Sequence, residues 1–293
     1  MSLRGQTRSW LIQAAALLRA DALAMRCNKL APHSQALVVE MHETPARHEL
    51  QLRRQLQWAS RHFTICRLED FAKLWTPNAP SNCNSKPLLL FTFDDGRESN
   101  YSIAAPLLES FGARGVFFIV PAFAELAGKQ NSASFYLSRM NPNSKPGDES
   151  VEDWKPMSPD QIADLAARGH AIGNHSTTHR RLVNLSPETM QREIVDSARQ
   201  LASWTGRSVD AFAWTFGWDA IDRSAWELIQ RYHRFCFSPC AGIVDAKIDQ
   251  PSLLWRREIE ARYSPAEYRF SYSGLVDLWW TGRRARLRKM LHP

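Results

Sequence analysis

The run Leu88-Leu89-Leu90-Phe91-Thr92-Phe93 constrains the fold of this chain more than any other feature. It shows no apolar-polar alternation, so it reads as a strand covered on both faces, as in a parallel sheet flanked by helices. Other segments supply the same pattern. Ala36 to Val39, Phe63-Thr64-Ile65, Gly115 to Val120, Val209 to Trp214 and Phe235-Cys236-Phe237 read as strands, and Gly169 to Gly173 as a turn and short strand. Between them, Leu50 to Trp58, Ile103 to Phe111, Pro159 to about Arg168, Pro187 to about Trp204 and Ser224 to Tyr232 carry helical spacing. Repeated strand-helix units without a phosphate-binding glycine loop favour a barrel over a dinucleotide-binding sheet.

At 293 residues, 44% hydrophobic and 23% charged, the chain is long enough for one large core and too apolar to stay disordered. The expected organisation is a domain over 36–275, an N-terminal amphipathic helical extension over 1–35, and a basic Trp/Arg-rich tail over 276–293. Residues 128–158 are rich in Asn, Ser, Lys and Pro with little periodicity, and read as a surface loop flanking the cleft. Near the N-terminus, Arg4 and Arg8 precede an apolar run, and Ala22-Leu23-Ala24 has the look of a cleavage site. Against a leader stand Gln13, Arg19 and Asp21. Leu11, Ala14, Leu18, Ala22 and Met25 fall at helical spacing, which favours a retained helix and a cytoplasmic protein. No run reaches the ~20 apolar residues of a spanning helix.

The formal charge of +7 suits an anionic partner, and it is unevenly placed. Arg283, Arg284, Arg286, Arg288 and Lys289 follow Trp279 and Trp280. Indole prefers the interface and Arg the phosphates, so the tail is expected to make peripheral contact with an anionic membrane, with a solvated tail as the alternative. No nucleic-acid recognition module is present. Cys27, Cys66, Cys83, Cys236 and Cys240 are odd in number and widely scattered, which favours reduced thiols over a disulfide framework.

Two constellations carry chemistry. Asp94-Asp95-Gly96 ends the buried strand, and although Asp and Gly also serve tight turns, neighbouring carboxylates stay ionised best beside a cation. One carboxylate then ligates metal while the other is free to take a proton. His175-Ser176-Thr177-Thr178-His179 sets two imidazoles four residues apart, which face one point if the segment makes about one helical turn. Two His and one Asp form a ligand set with open positions for water and substrate.

Thr92-Phe93-Asp94-Asp95-Gly96, followed by Gly169-His170 through His175-Ser176-Thr177-Thr178-His179, resembles the paired signatures of the polysaccharide deacetylases, carbohydrate esterase family 4. The likeness continues through Leu182, Leu185-Ser186-Pro187, Glu193 and Phe212-Ala213-Trp214-Thr215-Phe216-Gly217, and covers roughly 36–275. It implies a distorted (β/α) barrel with fewer than eight units. It also implies Asp94 as general base and Asp95, His175 and His179 as ligands of a divalent metal, Zn2+ foremost.

Two departures from the family pattern stand out. The usual acid, a His in a C-terminal motif, has no counterpart, since after His233 only His292 remains. Val38-Val39-Glu40-Met41-His42 instead resembles a permuted subgroup of exopolysaccharide deacetylases, which makes His42 the candidate acid. The motif usually reading Arg-x-Pro-Tyr here reads Ala213-Trp214-Thr215-Phe216. Phe216 keeps a backbone N–H for an oxyanion, but the Arg that buttresses the base is missing. Trp214 and Trp218 are candidates for stacking on a sugar, with core packing as the alternative. The expected function is removal of N-acetyl groups from an amino sugar or glycan in cell-surface polysaccharide metabolism. The alternatives are a catalytically altered carbohydrate- or lipid-carrier-binding protein on the same fold, or a hydrolase of another amide.

Overall fold

The computed structural model describes residues 34–76, 86–142 and 154–291. The extension expected over 1–35 lies almost wholly outside these residues, as do Cys27, Cys83 and His292.

In chain order the elements are β1 (Gln35–Met41), α1 (Glu49–His62), β2 (Thr64–Ile65), α2 (Leu68–Ala72), β3 (Leu88–Phe93), a π turn over Asn100–Ala104 leading into α3 (Ala105–Ser110), β4 (Val116–Ile119) and α4 (Pro121–Ala124). Then come α5 (Ser132–Phe135), which runs on as a π turn over Tyr136–Met140, α6 (Pro159–Ala167), β5 (Ala171–Asn174), α7 (Pro187–Met190), a π turn over Gln191–Asp196 and α8 (Ser197–Thr205). The chain continues through β6 (Ala211–Ala213), α9 (Arg223–Tyr232), β7 (Phe235–Ser238), β8 (Val244–Asp245), β9 (Leu254–Trp255), β10 (Arg257–Glu258), α10 (Pro265–Tyr272), a 3-10 segment Leu275–Trp280 and α11 (Thr281–Leu291).

The sheet runs β10-β1-β3-β4-β5-β6-β7-β9, parallel at every step of that path. Its two end strands are separated in the chain by Arg256 alone, so the backbone itself draws the sheet edges together into a nearly closed barrel. β2 adds to β3, and β8 pairs antiparallel with β1.

The uninterrupted apolar strands have a direct physical cause. Successive side chains on a strand face opposite ways. Leu90, Val38, Val116 and Phe118 belong to the inner cluster with Ala211, Ala213, Phe235, Phe237 and Leu254. Leu89, Phe91, Phe93, Leu37, Val39, Phe117 and Ile119 face outward, beneath Leu52 and Leu56 of α1 and Ile162 and Leu165 of α6. Both faces are therefore buried. Where the barrel is tightest, β5 carries Gly173, because a Cβ there would lie 2.3 Å from the Phe118 ring.

Residues 128–158 depart from the loop expected there. Ser132–Met140 is helical, and Tyr136, Met140 and Trp154 pack against Val120 and Phe123 in a small apolar cluster of their own. The basic segment is packed too. Leu287 and Leu291 of α11 enter the cluster that holds Trp255, Trp226 and Cys240. Cys66, Cys236 and Cys240 are buried free thiols.

Candidate metal and catalytic centre

At the carboxyl ends of the strands the inward columns turn polar. Leu90 and Thr92 continue to Asp94, Val38 to Glu40 and His42, Gly173 to His175, and Leu254 to Arg256. Asp94 N–H donates to the Met41 carbonyl at 2.8 Å, extending the β1–β3 ladder one residue past the strand. The chain then turns sharply, with φ of 77° at Asp95 and 73° at Gly96.

Asp95, His175 and His179 converge. Asp95 Oδ1 lies 3.8 Å from His175 Nε2 and 3.5 Å from His179 Nε2. Ligands about 2.1 Å from a tetrahedral zinc stand about 3.4 Å from one another, so these donors fit one ion with little movement. Their other ring nitrogens are occupied: His175 Nδ1 donates to the Ala213 carbonyl at 3.0 Å and His179 Nδ1 to the Arg139 carbonyl at 3.4 Å. That tautomer leaves both Nε2 lone pairs for a metal. Burial holds the imidazoles neutral, lowering His175 and bringing His179 down to about 4. Burial opposes charge on Asp95 as well, but Arg97 and then His179 outweigh it and hold the carboxyl at about 2.

The two histidines do not converge by a helical turn as the spacing suggested. Ser176 and His179 have φ of 59° and 52°, and the segment is irregular. Side chains from elsewhere tie it down. Asn174 Oδ1 accepts from Ser176 N–H at 3.0 Å, and buried Glu193 accepts from the N–H and hydroxyl of Thr178 at 2.9 and 2.7 Å. Asn174 is itself held by Ser197, His233 and the Ile194 carbonyl. Backbone strain of this kind persists only where the surroundings over-determine it.

Asp94 receives a fork of two hydrogen bonds from Arg256, 2.7 Å to Oδ1 and 2.8 Å to Oδ2. Arg256 is fully buried; it also donates to Thr92 Oγ1 at 3.2 Å, and its Nε lies 3.4 Å from Glu40. Burial raises the Asp94 carboxyl, but Arg256 outweighs this and the net shift is downward. For Glu40 burial prevails over Arg256, and its carboxyl rises to about 7. Glu40, His42 and Asp94 are close enough to hold an ion of their own, yet the guanidinium already occupies both Asp94 oxygens, so this group reads as an ion-pair network.

His42 is half-buried. Its Nδ1 donates to Glu260 Oε1 at 2.8 Å, its backbone N–H donates to Glu260 Oε2 at 3.3 Å, and its Nε2 lies 3.7 Å from Glu40. Burial works against a charged ring, but the Glu260 hydrogen bond and charge, with Asp95 and Glu40 behind them, lift its pKa well above 6.5.

One cavity of about 1270 Å³ takes in His42, Asp94, Asp95, His175, His179 and Phe216. Pockets for small molecules span about 300–1,000 Å³, so this cleft suits a larger ligand. Phe216, at φ 61°, sets its ring 4.6 Å from that of His179, and no hydrogen bond engages its backbone N–H among the described residues. The two tryptophans are placed otherwise than a sugar platform needs. Trp214 touches the cavity wall but is 1% exposed, with its indole N–H on Cys236 Sγ at 2.8 Å, so its ring belongs to the core. Trp218 lies off the cavity, its ring beneath Arg286.

A barrel with acid, base and ligand candidates at the strand carboxyl ends defines a hydrolase-type centre. Comparison with known proteins makes the class specific. The sequence profile of the polysaccharide deacetylase family matches residues 81–233, and the chain belongs to that family of carbohydrate deacetylases. The Bacillus subtilis protein YxkH, described as a polysaccharide deacetylase, is 26% identical over 115 residues, 39% of this chain and 32% of its own length. The match thus spans about a third of that relative. Among solved structures, the Streptococcus pyogenes deacetylase PplD, determined with acetate, aligns at TM-score 0.61 and 16% identity over 80% of this chain and 96% of its own. IcaB from Ammonifex degensii gives 0.58 and 17% over 83% and 97%, and the BpsB deacetylase domain from Bordetella bronchiseptica 0.60 and 16% over 78% and 97%. At these identities the structural likeness concerns the fold.

Sequence reasoning missed Glu40, Arg256 and Glu260. Glu40 left a signal, as a charge inside the apolar run Val38-Val39-Glu40-Met41. Arg256 and Glu260 left little, because each meets its partner only through barrel closure.

Proposed function

We propose that the protein is a metal-dependent N-deacetylase of an amino sugar within a cell-surface glycan. The observation that carries this reading is the convergence of neutral His175 and His179 with ionised Asp95, each presenting one free donor atom toward a common point. A divalent cation, Zn2+ foremost, supplies carbonyl polarisation and acidifies water when bound there. The remaining work falls to side chains and a backbone N–H. Asp94, kept ionised by Arg256, accepts the proton of the attacking water. The Phe216 N–H is available to the developing oxyanion. His42, charged through Glu260, carries its second proton on Nε2, the atom turned away from the Glu260 bond, and passes it to the departing nitrogen.

A binding protein with a broken site was the main alternative, prompted by the missing Arg of the third motif. Arg256 supports the hydrolase, since it brings a guanidinium to the base from another part of the chain. The decisive experiment incubates zinc-loaded protein with a panel of N-acetylated glycans and measures free acetate. Release that stops with a chelator and returns with metal is expected. No release from any member by fully loaded protein would refute the proposal.

A further inference from the structure

The cleft does not end at the catalytic centre. Val276, Trp279, Trp280 and Arg283, from the 3-10 segment and the start of α11, form part of its wall. We infer that the outer side of this wall, residues 278–290, is a docking surface for an anionic lipid bilayer.

The segment is fixed to the body before any partner arrives. Leu287 and Leu291 are buried, Arg284 donates to the Ala241 and Asp277 carbonyls, and Arg288 pairs with Asp249. What remains outward is unusual. Of six large hydrophobic side chains exposed among the described residues, Leu278 (72%), Trp279 (54%) and Met290 (37%) fall within this short stretch. No acidic residue follows Asp277, and Arg283, Arg286 and Lys289 are exposed without an acidic partner among the described residues. Arg283 and Arg286 lie over rings instead, 4.8 Å from the Trp280 centroid and 5.3 Å from that of Trp218. At about 100° per residue, Arg283, Arg286 and Met290 fall within about 60° of one another on α11, while the buried Leu287 and Leu291 lie to one side, about 40° and 80° beyond Arg283.

Cations beside exposed aliphatic and indole groups match the two layers of a bilayer surface. Guanidinium and ammonium groups meet the phosphates, while Leu278 and Trp279 enter the headgroup–acyl boundary. A nucleic acid offers the cations partners but gives Leu278 and Met290 nothing to bury against. Docking here would set the cleft mouth at the lipid surface, where acetylated sugars carried on lipid reach Asp95, His175 and His179. That consequence rests on the deacetylase reading, whereas the docking itself does not.

The test needs no substrate, so its failure is distinct from failure of the deacetylase assay. The full chain is sedimented with phosphatidylcholine vesicles containing about 30 mol% phosphatidylglycerol at low salt. Binding is expected, with a blue-shifted tryptophan emission, and R283Q/R286Q/K289Q should lower the partition coefficient about 10²-fold. L278S/W279S should weaken binding and abolish most of the emission shift. All five positions are exposed, so circular dichroism should show unchanged folds. Equal partition of wild type and the triple variant would overturn the inference. So would full retention by L278S/W279S together with displacement from vesicles by a short DNA duplex, which would assign the surface to a soluble polyanion.

Discussion

Removing Arg256 is the sharpest test of how Asp94, the proposed base, is held. Arg256→Met keeps the bulk and deletes the cation that meets both Asp94 oxygens at 2.7 and 2.8 Å. With charge centres about 4 Å apart and an effective dielectric near 20, the lost attraction is about 4 kcal/mol. Stranding one partner of a buried pair costs about 3–5 kcal/mol, in agreement. Glu40 loses the same neighbour but escapes most of the penalty, because its carboxyl already sits at about 7 and takes a proton readily. Asp94 loses the counterion that had outweighed its burial, so the desolvation of its carboxylate goes uncompensated. Asp94→Asn in the Arg256→Met background should therefore recover much of the loss, since no uncompensated carboxylate remains. Urea denaturation of the four proteins, followed by far-ultraviolet circular dichroism, yields the coupling energy, expected near 3 kcal/mol. Additive losses, or an Arg256→Met protein within about 1 kcal/mol of wild type, would refute the reasoning.

His175→Ala or His179→Ala should abolish stoichiometric metal and acetate release with unchanged circular dichroism, whereas Asp94→Asn should keep metal and lose turnover; metal analysis beside the acetate assay separates the cases. His42→Ala should slow amide hydrolysis by about 10²–10⁴ and spare an acetyl ester with a good leaving group, so equal losses on both substrates would remove His42 from the mechanism. His170 and His233 are held neutral at about 4, first by burial; Gly115 N–H donates to His170 Nδ1 and the Asn174 amide to His233 Nε2, both of which protonation would break. Because the unfolded rings bind protons from about 6.5 downward, stability should be full above that pH and fall toward pH 4, by up to about 3 kcal/mol per ring; a flat urea midpoint between pH 7.5 and 4.5 would contradict this. Gly173→Ala should destabilise by about 1–3 kcal/mol through the Phe118 ring, and Phe118→Leu in the same chain should return part of the loss on the same urea assay.

What the sequence disclosed depended on how locally each feature is encoded. Leu88–Phe93 was legible because burial on both faces leaves no alternation, and its observed bounds agree with the expected strand. Asp94, Asp95, His175 and His179 were legible as short motifs. The shape joining the two histidines was not, since it depends on Asn174 and on Glu193, which lies fourteen residues beyond His179. The buttress of Asp94 was sought where the family keeps it, near Phe216, but it comes from Arg256, flanked by strands of two residues each that are too short to carry a period. Glu260 meets His42 across 218 positions, a pairing no local pattern records. The helical Ser132–Met140 stretch was obscured by its polar surroundings; its apolar partners Val120 and Phe123 precede it, across the polar residues 128–131.

The crossing at Arg256 also orders events during synthesis. The proposed ligands Asp95, His175 and His179 emerge from the ribosome well before residues 254–260, which close the barrel. Until Leu254–Glu260 arrives, Asp94 has no guanidinium, His42 lacks the Glu260 carboxylate, and the β1 edge lacks β10. Pairing over such sequence distances is entropically slow, so closure comes late in folding. On the proposed mechanism, competence for turnover is thereby tied to completion of the barrel: Asp94 and His42 gain the partners that would make them base and acid only when the last stave locks the first.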